Sequence, residues 1–463
     1  MERGRWQQGS LVELTVTDLS DTGEGVGRFE NRPVFVPDAV PGDRADVRLV
    51  MVKPNYARGQ LQQLKQPGPA RIRPSCIVAD KCGGCQWQHI AYDYQRQAKQ
   101  NIVIQALERI GGIPNPPVAA PLAISTPEAL PSLGYRNKCS FALGVSATGQ
   151  VQAGYYQKGS HRLLNLNRCP VQDDRLNPLL QEIKGDMQNR GWRVYDETRH
   201  SGEVRNLSLR VGRRTGEILL TLVTRTGNLP GIEEQASQWL SRYPGLVGVC
   251  LNLNPHRTNA IFGEEMVTIA GRPYLRELFG GLELHLRGDT FFQVYTEAAE
   301  GLLQAIASHL DLQPHQILLD AYCGIGTFTL PLARYVKEAI GLEVQAAAVD
   351  QARENARLNQ ISNVSFMAGK VEELLPALGV TPDVVLLDPP RKGCDRAVLE
   401  TLLQMRPDRL AYISCKPATL ARDLKIFIEG GYRLELVQTA DFFPQTAHVE
   451  CAAFLQRLNP EDN

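Results

Sequence analysis

From about Gly281 onward, short apolar runs alternate with stretches of helical spacing, and few folds accommodate that order. ILLDAYC precedes TFTLPLARYV, AIGLEV precedes QAAAVDQARENARLNQ, VSFMAG precedes KVEELLPAL, DVVLLD precedes RAVLETLLQM, and LAYISC precedes ATLARDLKIFIEGG. Apolar runs this short and continuous are strands buried on both faces, and strands joined through helices run parallel. The pattern predicts a doubly wound α/β domain over 281–463, closed by two late strands in RLELVQTADFF and HVECAAFLQRL. Such sheets bind ligands beyond the carboxyl ends of their strands, so the residues that end each run are the first candidates for a site.

Two of the runs end on reactive groups. Val384–Leu387 delivers Asp388 and then Pro389-Pro390, where proline has no N–H to offer and leaves a carbonyl free for a substrate. Leu410–Ile413 delivers Cys415, followed by Lys416-Pro417 and a helical pattern. A thiol beside Lys416 at a helix N-terminus is expected to have its pKa lowered toward the reactive thiolate. Most isolated cysteines are buried structural ones, but the strand end argues against that here. Asp320-Ala321-Tyr322-Cys323-Gly324-Ile325-Gly326 forms another strand-to-helix turn, with glycines where backbone must approach a ligand. Glu343 follows the next strand and can accept both hydroxyls of a ribose. The third glycine of a dinucleotide fingerprint is missing, Thr329 standing in its place. A ligand without pyrophosphate is therefore favoured, and S-adenosylmethionine fits, with Asp388 near its adenosyl and methionine parts.

The front of the chain is different. From Ser10 to about Leu64, short alternating runs are separated by glycine-containing turns, which suggests a small β-barrel within residues 1–70. Between Arg44 and Arg73 lie seven basic residues (Arg44, Arg48, Lys53, Arg58, Lys65, Arg71, Arg73) against one acid, Asp46, with Tyr56 among them. Such a strip is either an RNA grip or a solvated face. Cys76, Cys82 and Cys85 follow in a C-x5-C-x2-C pattern with two glycines, a strong metal signal. Cys169, also followed by proline, is the best fourth ligand, whereas Cys139 lies in a strand-like run and reads as core. Spacing does not choose between zinc and an iron-sulfur cluster. Four thiolates would leave no open position, so the site should be structural, clamping two distant segments. Residues 91–110 have helical spacing, and the proline-rich stretch 112–127 reads as an extended connector. The rest of 71–280 is strand-dominated with one helix-like segment, DRLNPLLQEIKGDMQNRG, giving a central α+β domain. Tyr135, Arg136, Asn137 and Lys138 read there as ordinary surface.

Lysine plus arginine equals aspartate plus glutamate at 50 each in 463 residues, so no global positive field advertises nucleic acid. No apolar run reaches membrane-spanning length, and MERGRWQQGS lacks the apolar core of a signal peptide. A cytoplasmic monomer with no membrane partner is expected, and its ten cysteines read as metal or catalytic residues where they cluster.

Together these residues resemble the S-adenosylmethionine-dependent RNA uracil carbon-5 methyltransferases of the RumA/TrmA type. FFQ at Phe291–Gln293, DAYCGIGTF, DPPRKG, SCKPATLARDL and FPQTAHVE occur in the family's order. The barrel is similar to a TRAM domain, and with Cys76, Cys82, Cys85 and Cys169 it resembles the RlmD-like branch that acts on 23S ribosomal RNA and carries a 4Fe-4S cluster. The resemblance implies that Gln293, Tyr322, Glu343 and Asp388 bind the cofactor, that Cys415 is the nucleophile and that Glu450 is the base. It also implies a target uridine in 23S ribosomal RNA, with transfer RNA as the alternative. Tyr295 departs from the family, which usually carries asparagine there. His448 is expected only to pack or hold its turn. Two rivals belong to other classes: an RNA amino methyltransferase using the D-P-P motif, which would leave Cys415 idle, and a non-catalytic redox-responsive RNA-binding protein.

Overall fold

A computed structural model describes residues 5–124 and 132–458. The first five strands, β1 (Leu11–Leu19), β2 (Gly25–Phe29), β3 (Arg32–Val36), β4 (Arg44–Val52) and β5 (Ala57–Gln66), close into a barrel in the order β1-β2-β3-β5-β4. Alternation along β1 sends Val12, Leu14 and Val16 inward against Val34, Val36, Val47 and Leu49. Gly59 is required by that packing, since a Cβ there would lie 2.2 Å from Val47 Cγ1.

Helix α1 (Tyr92–Arg109) follows, and then a seven-stranded sheet. Its strands are β6 (Lys138–Val145), β7 (Val151–Tyr156), β8 (Leu163–Asn165), β9 (Val204–Val211), β10 (Ile218–Thr224), β11 (Leu246–Leu253) and β12 (Glu265–Gly271), in the order β12-β11-β10-β9-β6-β7-β8. Helices α2 (Asn177–Asn189) and α3 (Ile232–Arg242) cover it. The expectation of a single helix in this stretch missed α3, although Ile232, Ala236 and Trp239 stand at helical spacing and all are buried. Cys139 is core in β6, as its setting suggested.

A hairpin of β13 (Tyr274–Phe279) and β14 (Leu282–Arg287) leads through α4 (Thr296–Leu310) into the second large sheet. Here β15 (Ile317–Ala321), α5 (Thr329–Ala333), β16 (Glu338–Glu343), α6 (Ala346–Leu358), β17 (Val364–Ala368), α7 (Val371–Leu374), β18 (Val384–Leu387), α8 (Arg396–Met405), β19 (Arg409–Ser414), α9 (Pro417–Glu429), β20 (Tyr432–Ala440) and β21 (Glu450–Arg457) alternate as the sequence predicts. The order is β17-β16-β15-β18-β19-β21-β20, parallel except for β21, which runs antiparallel between β19 and β20. The chain reverses between β15 and β18, the crevice where ligands of such sheets bind.

Two segments of the 71–280 stretch belong by packing to this second sheet. Val103 and Leu107 of α1 share a core with Leu420, Ala421 and Leu424 of α9. The connector lies along β20, Ala119 N donating to Val437 O at 2.9 Å and Leu122 N to Thr439 O at 2.9 Å; its end, residues 125–127, falls outside the described residues. Among the described residues no helix is long and apolar enough to cross a membrane.

The basic strip is largely engaged within the barrel. Arg44 and Lys65 pair with Glu13, Lys65 also with Asp46, and Arg58 with Glu24. Arg71 is structural: its guanidinium donates to the fully buried Asp43, whose carboxylate also accepts from Val40 N and Gly68 N at 2.7 and 2.8 Å. Burial pushes the Asp43 carboxyl up, but Arg71 and the two amides outweigh it and leave its pKa below the ordinary value. A depressed carboxyl contributes stability at neutral pH that is lost as pH falls through its folded pKa. Arg71→Ala, which strands the buried charge, is expected to cost about 3 kcal/mol in urea unfolding at pH 7, and to flatten the acid dependence of stability seen in the wild type.

Candidate active site

The two groups singled out at strand ends meet at one edge of the second sheet. β15 and β18 are parallel neighbours with Ala321 opposite Leu387, so the turns after them emerge together. Tyr322, at the head of the first turn, holds φ +76, a left-handed backbone that a bulky side chain adopts only when its surroundings impose it. Its N–H donates to Leu342 O at 2.8 Å, and its side chain leans on Cys394. Glu343, which ends β16, accepts from Gly324 N at 3.1 Å and from Gln345 N at 2.8 Å. It thereby ties the glycine turn to the neighbouring strand.

Three carboxylates crowd this edge. Asp320 and Asp388 are each pushed up to about 7, first by burial, then by the charge of Glu343 on Asp320 and by those of Asp320 and Glu343 on Asp388. Among the described residues no cation offsets either of them. Thr329, where a dinucleotide fold would have glycine, donates its hydroxyl to Asp320. A crowded acidic pocket of this kind suits a ligand that carries positive charge and hydroxyls, and S-adenosylmethionine carries a sulfonium, an ammonium and a ribose. Gln293 is buried in the segment before α4, its carbonyl accepting from Asn137 Nδ2 at 2.9 Å. The Asn137 amide also reaches Thr296 Oγ1 at 3.0 Å, and Lys138 Nζ donates to Gly288 O at 2.8 Å. Tyr135 and Asn137 are buried as well, so this tetrad holds the Gln293 segment in place rather than forming surface. Tyr295 is fully buried against Tyr135, ring centroids 4.9 Å apart, filling with an aromatic pair the position where asparagine was expected.

Cys415 follows β19 at the start of α9 and lines a cavity of about 760 Å³. The opposite wall comes from the barrel (Thr17, Thr22, Arg28, Phe35) and the side wall from α1. Glu450 begins β21, whose Cys451 pairs with Ser414, so thiol and carboxyl sit on adjacent strands at the same height. The expected depression of the Cys415 pKa is not found. Burial raises it, with Glu450 and Asp388 adding to the rise, and the cation that opposes them is Arg391 rather than Lys416. The physical reason is position: the Arg391 guanidinium acts on the thiol from the loop after β18. Glu450 is fully buried and held well above the ordinary carboxyl range by burial and Asp388. His448 is part of this site and not only of its turn, since its ring stands 3.3 Å from Arg391 Nη2 and lines the same cavity. Arg391 and His448 are the residues that reading the sequence missed; Arg391 directly follows the Pro389-Pro390 turn, which was the available signal.

The four cysteines Cys76, Cys82, Cys85 and Cys169 are all free, and each lies within the electrostatic field of the others. N–H groups point at three of the sulfurs: Gly84 N at Cys82 (3.4 Å), Gln88 Nε2 at Cys85 (3.6 Å) and the Val171 amide at Cys169. Burial pushes Cys85 up to about 11 and Cys169 up to about 12. Among the described residues, however, no three His, Cys, Asp or Glu side chains converge as a single metal ion demands.

A family model described as tRNA (uracil-5-)-methyltransferase matches residues 281–458, and a TRAM domain model matches residues 5–62. An RNA methyltransferase of Nostoc sp. is 65% identical over 456 residues, covering 98% of both chains, and one of Bacillus cereus is 37% identical with 98% of both covered. The chain belongs to the RNA (uracil-5-)-methyltransferase family. The crystal structure of Pyrococcus abyssi tRNA (uracil-54, C5)-methyltransferase in complex with S-adenosyl-L-homocysteine superposes with a TM-score of 0.75 at 25% identity, covering 96% of this chain and 99% of that one. The protein is thus an RNA methyltransferase that uses S-adenosylmethionine. Because Asp320 and Asp388 must be ionised to meet a cation, its affinity for S-adenosylmethionine is expected to rise between about pH 6 and pH 8 and then level off. Calorimetric titration should show this, with a flatter profile for Asp388→Asn.

Proposed function

We propose that this methyltransferase modifies carbon 5 of a uridine in RNA through a covalent enzyme-base adduct. The observation that carries the reading is the pairing of the Cys415 thiol with the buried Glu450 carboxyl on adjacent strands, beside a cavity and under the Arg391 guanidinium. Carbon 5 of uracil is a weak nucleophile. Cys415, as thiolate favoured by Arg391, adds to carbon 6 and pushes electrons into the ring, so that carbon 5 becomes enolate-like. S-adenosylmethionine supplies the methyl group as an electrophile on sulfur. Glu450, ionised, then takes the proton from carbon 5; that electron pair forms the carbon 5 to carbon 6 double bond as the bond to sulfur breaks and the thiolate leaves. In this reading Gln293, Tyr322, Glu343 and Asp388 would hold and orient the cofactor. The target base leaves its stack to enter the cavity beneath the barrel. An amino methyltransferase would have no use for a thiol and carboxyl so placed.

The cysteine set and the TRAM barrel support 23S ribosomal RNA as the substrate. The likeness to the Pyrococcus enzyme over nearly the whole chain supports transfer RNA as the second reading. The same cysteine set supports a 4Fe-4S cluster: Cys76, Cys82, Cys85 and Cys169 are free thiols that would hold it, and N–H groups are aimed at three of their sulfurs. Held by these four cysteines, a cluster would have no open iron, and its role would be to join the 76–85 loop to Cys169.

With RNA containing 5-fluorouridine and S-adenosylmethionine, a covalent protein-RNA adduct is expected in mass spectra of the wild type and none for Cys415→Ala. Mapping the adduct in ribosomal and transfer RNA names the target, and methyl transfer without any adduct would overturn the mechanism. Glu450→Gln should form the adduct with ordinary RNA and fail to release it. Anaerobically purified protein should contain iron and sulfide in equal amounts, lost in Cys85→Ser, and should keep methyl transfer after the cluster is removed if the fold survives. One equivalent of zinc in place of iron would overturn the cluster.

A further inference from the structure

The face that α1 buries carries Gln95, Ala98, Lys99, Val103 and Leu107. Two of these are polar, and a buried polar group persists only where its hydrogen bonds are replaced. Lys99 meets Asp441 at 2.6 Å and Phe443 O at 3.0 Å. Gln95, with no exposed surface, commits its whole amide to two other segments. Its NH2 group, with two hydrogens, lies within hydrogen-bond distance of the carbonyls of Trp87 (3.0 Å) and Ile90 (2.8 Å) and of Gln445 Oε1 (3.0 Å), and its oxygen accepts from Gln445 N (2.9 Å). Gln445 holds φ +69, and its carbonyl accepts from Gln86 N (3.0 Å) and Trp87 N (2.9 Å). Trp87, fully buried, donates from its indole to Gly23 O at 3.0 Å, in the barrel loop between β1 and β2.

The loops at the two ends of this network, that of Gln445 and the barrel loop of Gly23, border the cavity. The loop of Gln445 continues through Ala447, His448 and Val449 to Glu450, and the barrel loop contributes Thr22 from the opposite wall. Glu450 is the last residue paired with β20 at this end of the hairpin, Ala440 opposite it. Ahead of it the chain leaves the sheet and depends on side chains for its path.

We propose that Gln95 is a positioning residue for the methylation reaction: through Gln445 and Trp87 it fixes the loop that presents Glu450 and the barrel loop that faces it across the cavity. This rests on Glu450 being the base. Gln95 touches neither thiol nor cofactor, so its loss should leave thiolate addition and cofactor binding in place and slow the proton removal that frees the thiol.

The test is Gln95→Leu in the full-length protein, with ordinary target RNA and S-adenosylmethionine in single turnover. The methylated adduct is expected to accumulate, its resolution slowed at least roughly ten-fold. S-adenosylmethionine affinity and the rate of 5-fluorouridine trapping are expected to stay within about two-fold of wild type. Should Gln95→Leu not fold, Gln445→Gly, which meets the positive φ without strain, is expected to show the same accumulation. Unchanged resolution, or an equal fall in trapping, resolution and cofactor affinity, would overturn the proposal in favour of a merely structural role. Failure of the wild type to trap 5-fluorouridine RNA would instead overturn the covalent mechanism itself.

Discussion

Asp320 and Asp388 lie close together because β15 and β18 are parallel neighbours in fixed register, and the chemistry of the site depends on that register. A one-residue slip would turn every side chain of a strand to the opposite face and take these carboxyls out of the pocket. Strands buried on both faces resist such a slip: Val384, Val385, Leu386 and Leu387 are all fully buried, so any displacement exposes apolar surface or buries polar groups. The hydrophobic effect thus sustains an arrangement that electrostatics opposes. Burial and the charge of Glu343 raise Asp320, burial and the charges of Asp320 and Glu343 raise Asp388, and that crowding makes the pocket receptive to a cationic ligand.

The same logic extends to the thiol. Cys415 and Glu450 come together because β21 is inserted antiparallel beside β19, which brings a residue from the end of the chain next to one at a helix start. Burial raises both pKa values, and Arg391 lowers both. One exposed guanidinium therefore biases two buried acids toward their charged forms, and it reaches them from the loop that also carries Asp388. Asp388 and Arg391 hang on a single turn, Asp388 to Gly393, which is anchored from below: Cys394 N donates to Asp423 Oδ2 at 3.0 Å and to Tyr412 OH at 3.2 Å, and Tyr412 OH donates to the same carboxylate at 2.6 Å. The fully buried Asp423 on α9 links this turn to the helix that begins just after Cys415.

The barrel completes the site from outside the catalytic sheet. Its loop between β1 and β2 faces Cys415 across the cavity, so the space for a base exists only where two separately folded layers meet. Helix α1 joins them, packing Val103 and Leu107 against α9 and bordering the cavity with Ile102, Gln105, Ala106 and Arg109. The barrel and the Cys415 thiol therefore share one cavity.

The alternation of strands and helices, the residues that end each strand, the barrel and the helix at 92–109 were all legible in the chain, because periodicity and turn chemistry are local properties. So were the strand ends at which Asp388, Cys415 and Glu450 stand, since the ends of strands in such a sheet are where groups converge. What the sequence left open was everything decided by neighbours distant in the chain. Lys416 adjoins Cys415 in sequence, yet the cation that acts on the thiol is Arg391, because the loop after β18 folds over it. Arg71 reads as part of a basic surface, yet its role is to satisfy Asp43 inside the barrel. Gln95 and Lys99 look like the solvent side of a helix, yet both are buried, because their partners Gln445 and Asp441 come from the far end of the chain. Charge and polarity are written in the sequence, but their partners are set by tertiary contact, and a buried polar group takes its meaning from the partner that makes its burial affordable.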